Sequence, residues 1–262
     1  MLESVMNAPV EFPHSFSAAL SHNKTWIGDK LMEYTRRQIR EKCSCDFKSV
    51  KTFYQADVVN YLGNSSDTGE SYNEIVAEFV LENLDTFLHS IPQITREASY
   101  RNSSHDGEYS ASSNRVEEIT AIRLFNHCKD GTEYDFIGRI IDYQTPLKSK
   151  RSDTAGKIDL LAYDGDTLRL LELKKPDSME TMLRCVLEAY TYLKTVDTAK
   201  LLCDYELPAS SSILACPLVF KGGNQWAEMQ KDRTQLKKLM AALGSKPYYI
   251  TERGNSLYIE EK

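Results

Sequence analysis

Asp159, Glu172 and Lys174 are the residues whose types and spacing point most directly to chemistry. They lie in one segment, Gly156 to Lys175, which reads GKIDLLAYDGDTLRLLELKK. Asp164-Gly165 between two apolar runs is a strong hairpin signal. With Asp164-Gly165 as the loop, Asp159 faces Leu170 and Glu172 is its diagonal neighbour. With Gly165-Asp166 as the loop, Asp159 faces Glu172 directly. Either register puts both carboxylates on one face, roughly 5–8 Å apart at the backbone. Lys174 follows two residues later on that same face.

The surroundings make these charges expensive. Ile158, Leu160, Leu161, Leu168, Leu170, Leu171 and Leu173 render both faces of the hairpin apolar, as in a central strand pair covered on both sides. Charges in such a strand cost free energy unless they are paired or bound to metal. A hard divalent cation is one solution, since Mg²⁺ is commonly held by one or two carboxylates together with substrate phosphate. The lysine could then orient or deprotonate a water, or offset charge developing on phosphate. The bland alternative is that Glu-x-Lys is a common tripeptide and that strands often end in charged residues.

The whole chain sets the frame. It has 262 residues, 41% hydrophobic and 27% charged, with 12 Gly and 8 Pro. That is globular composition and argues against disorder, coiled coil or a membrane protein. The net charge of −6 excludes a simple basic nucleic-acid coat, so a nucleic-acid contact would need a local patch. Six cysteines without a CxxC pair suggest reduced thiols and a cytoplasmic setting. Glu3 and the lack of a long apolar run speak against a signal peptide or a membrane partner.

Helical spacing is expected over 28–43, 52–62 and 73–90, so residues 1–100 read as a mainly helical accessory region. The polar stretch 101–114 is the boundary candidate. Beyond it, residues 113–262 read as an α/β core. A helix at 114–127 precedes strands at 136–143, 157–163 and 167–174. A helix at 178–195 follows, opened by a capping box of Asp177 with Glu180. A strand at 212–220, a helix at 225–243 and strands at 247–252 and 256–260 complete it. The fold class expected is α/β, a mixed central sheet flanked by helices.

Asp159 followed by Glu172-Leu173-Lys174 resembles the PD-(D/E)xK nuclease superfamily, with Ile158 in place of the proline. The resemblance covers about residues 114–220, where the order helix, three strands, helix, strand matches that superfamily's core. It implies a restriction-endonuclease-like or exonuclease-like fold and a nuclease that hydrolyses phosphodiester bonds, DNA most of all. The cofactor it implies is Mg²⁺ or Mn²⁺, held by Asp159, Glu172 and the backbone carbonyl of Leu173, with Lys174 catalytic. Many members add a glutamate from the preceding helix. Taking Ile119, Ile122 and Phe125 as the inward stripe, Glu118 falls inside it and Glu117 at its margin, so Glu118 is the preferred auxiliary ligand. The alternative is a surface acid pairing with Arg115 or Arg123.

Exonuclease-like members often carry Gln-x-x-x-Tyr on the following helix, and Glu188 with Tyr192 has that spacing. The alternative there is a solvated face with an Arg184–Glu188 pair. Lys148, Lys150, Arg151 and Lys157 precede Asp159 and could bind phosphates, or could be a solvated loop. Arg36, Arg37, Arg40 and Lys42 form a second basic run, read as a solvated face. The helical first hundred residues are expected to select substrate or bind a protein partner. Oligomeric state is open. Rival readings are a non-catalytic nucleic-acid-binding module on the same fold, and a protein-interaction adaptor.

Overall fold

The apolar alternation of the second half resolves into a sheet with two covered faces. The computed structural model describes residues 33–110, 113–148 and 156–261. Among them, six strands lie side by side in chain order: β1 (Arg139–Pro146), β2 (Lys157–Tyr163), β3 (Thr167–Leu173), β4 (Ser212–Phe220), β5 (Tyr248–Arg253) and β6 (Ser256–Glu260). The pairs β1–β2, β2–β3 and β5–β6 are antiparallel, while β3–β4 and β4–β5 are parallel. The sheet is therefore mixed and flanked by helices, as the element pattern predicts. No helix among the described residues is long and apolar enough to cross a membrane.

The helices are α1 (Arg36–Asp46), α2 (Tyr72–Glu82), α3 (Leu84–His89), α4 (Val116–His127), α5 (Met182–Thr195), α6 (Thr198–Asp204), α7 (Asn224–Met229) and α8 (Thr234–Ala242). Several differ from the sequence reading. Residues 28–32 lie outside the described residues. The segment read as a helix over 52–62 is two 3₁₀ turns, Phe47–Gln55 and Asp57–Asn60. The long helix expected over 225–243 is broken into α7 and α8, where Glu74 accepts the Gln235 and Leu236 amides and caps the second piece. The expected capping box of Asp177 with Glu180 does not form. Thr181 is the N-cap of α5, accepting the Arg184 amide at 3.1 Å.

Leu161, Leu168 and Leu170 face one apolar cluster, shared with Val186 and Tyr190 of α5 and with Ile39, Phe53, Val76 and Phe79 of the helical segment. Leu160, Leu171 and Leu173 face the second cluster with Ala121 and Leu124 of α4. The hairpin is thus buried on both faces. The arginines of α1 do not make a free basic patch. Arg36 pairs with Glu70 and Glu78, and Arg40 with Glu78 and Glu82.

Thr181 ties α5 to the helical segment. Its hydroxyl donates to the Val59 carbonyl at 2.9 Å, and its amide donates to Asn60 Oδ1 at 2.8 Å. Thr181→Ala removes the helix cap and strands a buried carbonyl. A loss of roughly 1–3 kcal/mol is expected, read as a lower midpoint in urea unfolding.

Candidate functional site

The hairpin adopts the register that brings the two acids face to face. Leu160 pairs with Leu171 and Leu161 with Leu170, so the next position sets Asp159 across from Glu172. The turn centres on Gly165 and Asp166, and Gly165 supplies a φ of +103° that a side chain would resist. Asp164 accepts the Asp166 and Thr167 amides through Oδ1 and the Arg169 guanidinium through Oδ2, which holds the turn in place.

Each charged group is held by named partners. Asp159 Oδ2 accepts the Leu173 amide at 2.9 Å, and Oδ1 accepts Gln144 Nε2 at 2.9 Å. The Lys174 ammonium contacts Glu172 Oε1 at 2.7 Å, Glu180 Oε2 at 2.9 Å and Glu188 Oε2 at 3.1 Å. Glu188 Oε1 in turn accepts the Tyr192 hydroxyl at 2.9 Å. Glu172 is only 5% exposed, Lys174 6% and Glu188 9%. The solvated face drawn for Glu188 and Tyr192 is therefore corrected. α5 is buried on nearly every side, and Arg184 pairs with Glu180 at 3.0 Å instead of with Glu188.

The two glutamates of α4 have different partners. The buried positions of α4 are Thr120, Ala121, Ile122 and Leu124, with Cys128 just beyond its end, while Ile119 and Phe125 are only partly buried. Glu117 stands one turn before Ala121 on that stripe. It accepts the Lys175 amide at 3.0 Å. Glu118 pairs with Arg115 at 3.1 Å. Of the expected phosphate-binding residues, Lys157 is exposed at the start of β2, and Lys148 is half-buried with its carbonyl accepting from Arg96. Lys150 and Arg151 lie outside the described residues.

Two site residues had no signal of their own in the sequence. Glu180 reaches Lys174 from the segment ahead of α5, and Gln144 reaches Asp159 from β1. Both depend on tertiary register.

Burial dominates the electrostatics. It pushes the Asp159 carboxyl up to about 7, with Glu117 and Glu188 adding to the rise and Lys174 and the Leu173 amide opposing it. Burial and then Asp159 hold Glu172 well above the usual carboxylate range. Burial alone would lower the Lys174 pKa, but its carboxylate neighbours, led by Glu172, outweigh burial and raise it. Tyr192 is raised by burial and by Glu172 and Glu188.

The donor set suits a hard divalent cation. Asp159, Glu172 and Glu188 are set against the single ammonium of Lys174, so carboxyl groups outnumber cations at this strand end. Among the described residues no three His, Cys, Asp or Glu side chains form a ready-made cage. A Mg²⁺ ion that keeps several waters needs only one or two carboxylates. Asp159 and Glu172 are the pair that could hold it, and the Leu173 carbonyl belongs to the same strand end.

Compared with known proteins, the chain matches no family model, no curated protein and no solved structure.

Lys174→Met should leave the buried acids Glu172 and Glu188 without their cation, at a cost of roughly 3–5 kcal/mol. The double variant with Glu172→Gln should recover much of that loss. Urea unfolding in EDTA measures both. A recovery of nothing would separate Lys174 from Glu172 energetically.

The pH dependence has a definite sign. A carboxyl raised above its unfolded value takes up a proton on folding, so its contribution is full below the unfolded pKa and fades as pH rises through the folded one. For Asp159 that window runs from about pH 4 to about pH 7, and Glu172 acts with the same sign. Asp159→Asn should flatten the fall in stability between pH 5 and pH 8. Unfolding midpoints at the two pH values, taken in EDTA, test it.

Proposed function

We propose that the protein is a Mg²⁺-dependent nuclease acting on phosphodiester bonds, DNA being the favoured substrate. The observation that carries this reading is the half-buried Asp159 across from the buried Glu172, with Lys174 between Glu172, Glu180 and Glu188. A chain that buries more carboxylates than cations at one strand end is poised to take a metal. The order α4, β1, β2, β3, α5, β4, with the short α6 inserted before β4, also runs as in the core of the superfamily that the motif resembles, and supports the same reading.

In this reading Asp159 and Glu172 hold the ion, with Glu117 as the nearby glutamate of α4. The ion held there would supply Lewis-acid polarisation of a phosphoryl oxygen and a lowered pKa for a bound water. Lys174 supplies an ammonium for charge that develops at phosphorus, where it helps most in the transition state. Glu188 and Glu180 set the position of that ammonium, and Tyr192 fixes Glu188. Lys157, exposed at the start of β2, would meet backbone phosphate.

A second reading, a non-catalytic module, draws on one observation. Lys174 is already engaged by three carboxylates, as it would be in a closed structural ion cluster. Metal separates the two, because a ligand that binds the folded state stabilises it.

The nuclease reading expects a mixed DNA panel to be cut with Mg²⁺ or Mn²⁺ and left intact in excess EDTA. Ca²⁺ should support binding with little turnover. Asp159→Asn and Glu172→Gln should each lower turnover about 100-fold or more. Glu117→Gln should weaken Mn²⁺ binding, whereas Glu118→Gln should not. Full cleavage in EDTA, or a melting temperature indifferent to Mg²⁺ and Mn²⁺ in both wild type and Glu117→Gln, would overturn the reading.

A further inference from the structure

Gln144 has a backbone that its residue type does not favour. Its φ is +49°, in the left-handed region that is uncommon for residues other than glycine, asparagine and aspartate. Such conformations persist only where the surroundings over-determine them, and they concentrate at functional sites. The surroundings of Gln144 do this. On one side, Asp142 is buried and accepts His105 Nδ1 at 2.5 Å, the Tyr205 hydroxyl, and the Tyr143 amide at 2.8 Å. Tyr143 stacks on His105 with ring centroids 4.3 Å apart and accepts the Gly107 amide through its hydroxyl at 3.2 Å. On the other side, the fully buried Thr145 meets the Tyr205 hydroxyl at 3.4 Å. A register shift between Ile140 and Asp142 precedes this stretch.

What the held conformation delivers is one amide at Asp159. Tyr143 pairs with Leu160 and Thr145 with Ile158, so Gln144 lies across from Asp159. Its Nε2 donates to Asp159 Oδ1 at 2.9 Å, while the Leu173 amide takes Oδ2. The two donors fix the rotation of the carboxylate.

We propose that Gln144 is a positioning residue for metal binding. It orients Asp159 Oδ1 toward the ion, and the strained bend of β1 exists to present it. The inference rests on the metal-site reading above. Partners of a ligating carboxylate set its direction, and their loss typically weakens metal binding about 10–100-fold.

The test is Mn²⁺ alone, titrated calorimetrically into wild type, Asp159→Asn, Gln144→Gly and Gln144→Asn, with a melting curve of each protein without metal. Glycine and asparagine both accept a positive φ, and neither can place an amide at Asp159 as glutamine does. The expected result is Mn²⁺ affinity lowered about 10–100-fold in both Gln144 variants, with melting temperature unchanged or higher. Wild-type affinity in both variants overturns the proposal and leaves the metal site standing. Melting temperature falling in step with affinity in both variants also overturns it, and makes Gln144 a structural residue. If wild type binds Mn²⁺ no better than Asp159→Asn, the metal-site reading fails and this inference fails with it.

Discussion

One ammonium, itself almost fully buried, sits among three carboxylates just past the end of β3. Lys174 meets Glu172, Glu180 and Glu188, and Asp159 lies across the hairpin from Glu172. Ionised groups in such a place are tolerated only when each one has partners. Much of the local architecture follows from that demand. β3 must end where Lys174 can turn back onto Glu172. The segment ahead of α5 must bring Glu180 close, and α5 must turn Glu188 inward although most of that helix is packed against apolar side chains.

The apolar layers supply the rigidity that holds this cluster. Leucines on alternate positions of β2 and β3 lock the hairpin between α5 and the helical segment on one face and α4 on the other. A slip of one residue between the strands would exchange the leucine sets of one of them and turn its acid to the opposite face. The turn at Gly165, cross-braced by Asp164 and Arg169, excludes that slip. Register and charge placement are therefore one constraint. The row Gln144, Asp159, Glu172 crosses three adjacent strands because each pairing is pinned by packing elsewhere.

Reactivity and stability pull against each other at this row. Burial raises Asp159 and Glu172 toward their neutral forms, which makes the metal-free protein indifferent or averse to high pH there. A cation would reverse that preference by favouring the ionised carboxylates. The same burial would strengthen the ion's hold on them, since charges interact more strongly away from water. The helical segment contributes through α5, as Thr181 bonds to both Val59 and Asn60.

Sequence alone determined the alternation that makes β2 and β3 a two-faced buried hairpin, the turn signal between them, and the presence of Asp159, Glu172 and Lys174 at its end. Those are local properties, carried by residue type at a period of two. The strand Ser212–Phe220 was legible for the same reason. Tertiary structure decided the rest. The choice between two hairpin registers depended on the turn at Gly165-Asp166 and on packing from both sides. Of the two glutamates of α4, Glu117 meets the strand end through the Lys175 amide and Glu118 pairs with Arg115, a difference that only tertiary contact sets. Glu188 faces Lys174, although its helix reads as amphipathic with that side outward, because a buried cation outweighs the pattern. Gln144 and Glu180 join the site across strand and loop, through contacts that no spacing in the chain encodes.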